Sequence, residues 1–150
     1  MAKYLMAALI LLAYSCNENT STQLPPTPST DGNVQVVKKM FEAFNNHDWK
    51  TMVSYYSADA QYLDPSSGKA FISISKDSVI AKYTELQQIF PDIKDSLINI
   101  FGQGDKVAVE FISKGSSKEG QHLVLPICAI LTLKDSLIVK DATYYDNSAQ

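Results

Sequence analysis

The sequence predicts an α+β domain, with helices early in the chain and an antiparallel sheet after them. Three observations predict it. Apolar residues recur at helical spacing in three segments between residues 33 and 90. From residue 93 onward the chain runs as β-branched and aromatic segments separated by polar turns. Helical and strand segments are largely segregated instead of alternating as in a parallel α/β protein.

The first helix starts near Asn33. Val34, Val37, Phe41 and Phe44 form one apolar face with Met40 beside them, and Lys38, Lys39 and Glu42 lie off it. Asp31 or Asn33 can cap its start, and Asn45-Asn46-His47 ends it, with His47 as a capping residue. Asp48 caps a second short helix, Trp49 to Tyr56, which buries Trp49, Met52, Val53 and Tyr56. Ala60 to Leu63 reads as a short strand, Asp64 to Gly68 as a loop, and residues 69–74 as a second short strand. Ser75 or Asp77 caps a third helix, from about Ser78 to Phe90, whose inward set is Val79, Tyr83, Leu86 and Phe90. Pro91-Asp92 stops it. Four strands follow as a meander: Ile93–Phe101, Lys106–Lys114, Gln121–Leu133 and Ile138–Asp146.

Composition narrows the function. The chain has 150 residues, a net charge of −3 and 45% hydrophobic residues, enough for one domain with a real core. All 13 basic residues are Lys and they are scattered. That argues against nucleic-acid binding by a basic patch and against bidentate Arg clamps on phosphate. There is no G-x-S-x-G, P-loop or dinucleotide glycine fingerprint, and His47 and His122 lack metal-ligand spacing. No cofactor or metal is expected.

Lys3 precedes an uncharged apolar run from Tyr4 to Ala13. A bilayer span needs about 20 residues, so the run matches a signal-peptide core instead. Ser15 precedes Cys16, and LLAYSC resembles a bacterial lipobox. Residues 1–15 are thus expected to be a lipoprotein signal peptide and Cys16 the acylated residue. Residues 16–32, rich in Pro, Ser and Thr, are expected to be a flexible tether. An ordinary cleaved signal and an uncleaved anchor are the alternatives. The expected setting is the bacterial cell envelope, with a membrane as partner through the lipid anchor.

Several motifs carry a family resemblance. They are Phe90-Pro91-Asp92, the GDKVAVEF strand from Gly104 to Phe111, a hairpin with Gly115, Ser116 and Gly120, and a terminal Tyr144-Tyr145-Asp146. In this order they resemble the SnoaL-like family of the nuclear transport factor 2-like superfamily, over residues 33–147. The resemblance implies a cone-shaped, curved antiparallel sheet wrapped around a pocket and closed by three N-terminal helices. It also implies a homodimer through the outer sheet face. Its members include polyketide cyclases, ketosteroid isomerase-like enzymes, dehydratases, hydrolases and non-catalytic binding modules, so fold does not name function. One feature of the chain independently supports a dimer. In Gln121 to Leu133 both alternating sets are apolar, so both sheet faces call for cover, from a second subunit or from the chain's own segments.

Enzymes of this family use carboxylates or His in an apolar cone, where burial brings a carboxylate's pKa towards neutrality. Asp64, in YLDP, is the first catalytic candidate; an Asp that starts the Asp-Pro-Ser turn is its alternative. Asp146 is the second, and a solvated strand end is its alternative. Glu110 is the third, a charge within VAVEFI. A two-residue turn at Asp135-Ser136 places Asp146 opposite Leu125. A hairpin centred between Ser117 and Lys118 places Leu125 opposite Glu110, so that the two carboxylates share a face; a one-residue slip destroys this. Tyr62, Tyr83, Tyr144 and His122 are candidate ligand-binding residues, with Tyr145 a further source of a hydroxyl. Cys128 reads as a buried, inert thiol. Two functions remain open. One is a module that binds a small apolar molecule or a protein partner. The other is a cofactor-independent isomerase, cyclase or dehydratase acting on an apolar carbonyl compound. Two polar groups converging deep in an apolar cone would favour the enzyme, and carboxylates on its rim the binder.

Overall fold

The computed structural model describes residues 30–146 and residue 148. The signal segment, Cys16 and most of the tether lie outside the described residues. The elements are α1 (Thr30–Asn45), α2 (Trp49–Ser54), β1 (Tyr56–Leu63), β2 (Ile72–Ser73), α3 (Lys76–Ile89), β3 (Lys94–Gln103), β4 (Lys106–Ser116), β5 (His122–Lys134) and β6 (Leu137–Tyr144). They make a curved, unclosed six-stranded sheet of order β2-β1-β6-β5-β4-β3, with the helices packed against one face.

Two expectations of architecture are corrected. The sheet is mixed, because β1 runs parallel to β6. The meander returns β6 to lie beside β1, and no local pattern in the sequence encodes that meeting. The helices are also not all N-terminal, since α3 follows β1 and β2.

α1 buries Val37, Met40, Phe41 and Phe44 against the sheet, as its apolar face predicts. It starts at Thr30, so Thr30, Asp31 and Gly32 form its first turn instead of ending the tether. Asn33, one of the two expected caps, is buried within the helix, and its Nδ2 donates to the Gly104 carbonyl at 3.1 Å. This bond pins α1 to the β3–β4 turn. The approach is close enough to require a glycine: a Cβ on Gly102 would stand 2.6 Å from Thr30 Cγ2. Gly115 does the same for the end of α3, where a Cβ would stand 2.8 Å from Phe90 Cβ.

The α1–α2 junction is fixed by polar bonds. His47 takes a left-handed φ of 56° and its N–H donates to the Phe44 carbonyl at 2.8 Å. Asp48 caps α2 by accepting from the Thr51 N–H at 3.0 Å. Trp49 Nε1 donates to Gln87 Oε1 at 3.1 Å, and Gln87 Nε2 donates to His47 Nδ1 at 2.9 Å. His47 Nε2 then donates to the Ile93 carbonyl at 2.8 Å. This chain ties the two first helices to α3 and to the entry of β3.

The inner sheet face carries the core. Val107, Val109 and Phe111 of β4 stand opposite Leu131, Ala129 and Ile127 of β5. The other β5 set, including Val124, Cys128 and Ile130, faces outward. Cys128 is therefore a half-buried free thiol on the outer face, not a core one. The same face exposes Phe101 and Val124, 61% and 63% accessible.

Candidate active site

A cavity of about 690 Å³ lies between the inner sheet face and the helices. Its walls are mainly apolar, from Phe41 and Phe44 of α1, Tyr83 and Leu86 of α3, and Phe111 and Ile127 of the sheet. Asp95 and Asp141 also line it. Neither is among the candidate residues that stand out in the sequence.

Asp95 stands near the start of β3, opposite Ser113 of β4. Asn45, the last residue of α1, holds its backbone on both sides. The Asp95 N–H donates to Asn45 Oδ1 at 2.7 Å, and Asn45 Nδ2 donates to the Asp95 carbonyl at 2.9 Å. The residue is 8% exposed, and its Oδ1 has no hydrogen-bond partner among the described residues. Burial disfavours its charge and the Ser113 hydroxyl only partly compensates, so its pKa is pushed up to about 6.

Asp141 lies on β6, opposite Leu131. The Tyr56 hydroxyl donates to its Oδ2 at 2.8 Å and the Thr143 hydroxyl to its Oδ1 at 2.9 Å. Burial raises its pKa, and the nearby charge of Asp64 adds to the rise. The two hydroxyls and Lys82 pull the other way without cancelling it. Asp141 lines this cavity and also a smaller one beside it. Tyr56, Tyr62 and Tyr83 surround Asp141. Burial first, then the charge of Asp141, raises all three phenol pKa values, so each stays a protonated donor. Tyr56 and Tyr62 stack at 5.4 Å, and Tyr83 stacks on Trp49 at 5.5 Å.

The residues chosen from sequence scatter. Asp64 sits at the cavity edge as a clamp. Its carboxylate accepts from Lys82 Nζ at 2.8 Å, the Tyr145 hydroxyl at 2.7 Å and the Ser66 N–H at 2.8 Å. Burial opposes its charge, but the bonds from Lys82, Ser66 and Tyr145 outweigh it and hold the carboxyl well below the ordinary range. It also starts the Asp-Pro-Ser turn, with its carbonyl accepting from the Ser67 N–H at 2.8 Å. Glu110 points to the outer face and accepts from Asn99 Nδ2 at 2.6 Å. Asp146 is exposed at the cavity mouth, where it accepts from the Ser148 N–H at 2.9 Å. Tyr83 lines the cavity, Tyr62 stands on the same inner side behind it, and His122 is at the mouth with Nδ1 3.3 Å from Ser116 Oγ. Tyr144 is on the outer face, 51% exposed, away from the cavity.

The expected Glu110–Leu125–Asp146 alignment does not form. Leu125 pairs with Ser113, Glu110 with Cys128, and Cys128 with Tyr144. The β4–β5 hairpin closes as Ser116 opposite His122, three residues off the predicted register. In the β5–β6 hairpin the two-residue turn is present, with Lys134 opposite Leu137, but a bulge between Thr132 and Leu133 shifts everything beyond it. An unbulged hairpin would set Asp141 opposite Ile130 on the outer face. The bulge sets it opposite Leu131 on the inner face. The signal that could have pointed to it is the in-phase triplet Asp141, Thr143 and Tyr145, whose three side chains all make inward polar bonds.

This geometry has a family. The SnoaL-like domain matches residues 37–140, and the chain belongs to that family. The fold is similar to a Jannaschia sp. CCS1 protein described as a SnoaL-like polyketide cyclase, with 17% identity, TM-score 0.68 and coverage of 84% of this chain and 92% of that one. It is similar to IdmH of Streptomyces antibioticus, described as a polyketide cyclase, with 22% identity, TM-score 0.67 and coverage of 77% and 92%. It is also similar to an LEH-like epoxide hydrolase of M. tuberculosis, with 18% identity, TM-score 0.66 and coverage of 79% and 86%. At such identities the likeness is one of fold. A comparison with curated proteins finds no significant match.

The raised pKa of Asp95 has a consequence for stability. Between the ordinary carboxylate value of 3.8 and about 6 the folded chain keeps a proton that the unfolded chain has released. Stability is therefore lost as pH rises through that window, up to about 3 kcal/mol. Asp95→Asn, a neutral isostere, is expected to match wild type near the bottom of the window and to exceed it above the top. Urea midpoints across pH check this; a constant difference at all pH values would refute it.

Proposed function

We propose that the domain encloses a small apolar carbonyl compound and moves a proton on it without a cofactor, as an isomerase, cyclase or dehydratase. The observation that carries this reading is Asp141, a hydrogen-bonded carboxylate with raised pKa lining an apolar cavity. Asp141 takes a proton from the carbon next to the carbonyl. The C–H electron pair moves into the carbonyl, and negative charge develops on its oxygen. Tyr83, held protonated in the cavity wall, donates a hydrogen bond to that oxygen. Return of the proton from Asp141 to another carbon completes an isomerisation. Tyr56 and Thr143 fix the carboxylate's orientation. The fold neighbours described as polyketide cyclases and an epoxide hydrolase support small-molecule chemistry in this kind of cone.

Binding without catalysis is the second reading. It is favoured by the placement of Asp64, Asp146 and Glu110 at the edge of the cavity or outside it. One experiment separates the two. Cyclic ketones are incubated with the protein in deuterated water, and deuterium at the carbons beside the carbonyl is followed by NMR. Wild type is expected to accelerate uptake, and Asp141→Asn to lose about 10²-fold or more of that acceleration. Equal uptake by both proteins would remove Asp141 from any such mechanism and leave the binding module.

We further propose that Cys16 is lipidated, residues 1–15 being its signal peptide, and that two copies pair through the outer sheet face. The LLAYSC junction supports the first and the exposed Phe101 and Val124 support the second. In detergent extracts of a bacterial host, the mature chain is expected to start at an acylated Cys16 and to sediment as a dimer that Phe101→Glu dissociates. An unmodified N-terminus would overturn the first proposal, and a monomeric wild type the second.

A further inference from the structure

The charges around the cavity do not balance. Asp95 and Asp141 line it with no ion pair to either carboxylate among the described residues. Lys82, the one lysine in its wall among the described residues, is committed to Asp64 at 2.8 Å. His122 stands exposed at the mouth beside Ser116. The sequence contains no Arg. A carboxylate or phosphate ligand would meet two buried acids and no free cation, which low polarity makes strongly unfavourable. The two acids also differ in what they still need. Both oxygens of Asp141 already accept a hydroxyl hydrogen, whereas Asp95, more than nine-tenths buried, lines the cavity with no positive charge paired to it among the described residues. Around them the wall is aromatic, with Phe41 and Phe111 edge-to-face at 4.9 Å and Phe44 and Tyr83 at 5.4 Å. Aromatic faces attract organic cations, most strongly where water is excluded.

We infer that the ligand of this cavity is an apolar amine in its protonated form, its ammonium N–H paired with Asp95 and its hydrocarbon body against the aromatic wall. The inference rests on the pocket reading above and names the ligand class for it. An ammonium supplies the positive charge that Asp95 lacks among the described residues. It leaves Asp141 free for the carbonyl side of the same molecule, which thus carries both groups. The volume of about 690 Å³ suits a small molecule of one or a few rings.

Three probes of nearly one shape test it: cyclohexylmethylamine, cyclohexylmethanol and cyclohexanecarboxylate. Each is titrated calorimetrically into the full chain in slightly alkaline buffer. The amine is expected to bind at least about tenfold more tightly than the alcohol, and the carboxylate more weakly than either. Asp95→Asn is expected to abolish the preference for the amine while still binding the alcohol, which shows that the variant is folded and its cavity intact. Equal binding of amine and alcohol by wild type would overturn the inference and leave the pocket reading standing. So would an amine preference that survives in Asp95→Asn. Failure of all three probes, with ketone exchange still catalysed, would overturn charge selection alone. Failure of all three probes together with no ketone exchange would overturn both.

Discussion

Two acids facing an apolar cone, with no ion pair of their own among the described residues, are the constraint on which the rest of the site depends. Removing a carboxylate from water costs several kcal/mol unless something answers its charge. Around Asp141 the answer is two hydroxyls, from Tyr56 and Thr143. Around Asp95 it is a raised affinity for a proton, with Asn45 holding the backbone on either side. Burial first, and then the charge of Asp141, drives three nearby tyrosines further from ionisation. The cavity is thus rich in donors and in negative charge, and poor in anything that would hold an anion.

Asp64 and Asp95 show how little residue type says about a carboxylate's role. Both are aspartates near a strand end. Asp64 lies where Lys82, Ser66 and Tyr145 converge, and its charge is stabilised. It joins the end of β1 to α3 and to the segment after β6, closing one side of the cone. Asp95 meets no cation among the described residues, and burial destabilises its charge. Two of the three partners of Asp64, Lys82 and Tyr145, lie 18 and 81 residues away in the chain, so its environment is largely a product of the fold.

Most of the helical framework was legible in the sequence because its signals are local. The apolar face of α1, the Asp48 and Ser75 caps, and the inward set Val79, Tyr83, Leu86 and Phe90 all follow from spacing and capping chemistry. The doubly apolar β5 was legible for the same reason. The site was not, because it depends on register. One bulge between Thr132 and Leu133 reverses the faces of β6 beyond it. It carries Asp141 and Tyr145 inward and leaves Tyr144 outside. Alternation alone cannot locate such a bulge, and every side chain beyond it changes sides. The parallel meeting of β1 and β6 was hidden for a related reason, since it joins strands from opposite ends of the domain.

The chain has a single tryptophan, and its placement has a practical consequence. The Trp49 ring is buried between His47 and Tyr83, and its N–H is held by Gln87. Tyr83, together with Phe44, touches that indole on one side and lines the cavity on the other. Anything that enters and presses on Tyr83 alters the polarity and the quenching that the indole experiences. Intrinsic fluorescence is therefore a label-free gauge of cavity occupancy, free of background from any other indole.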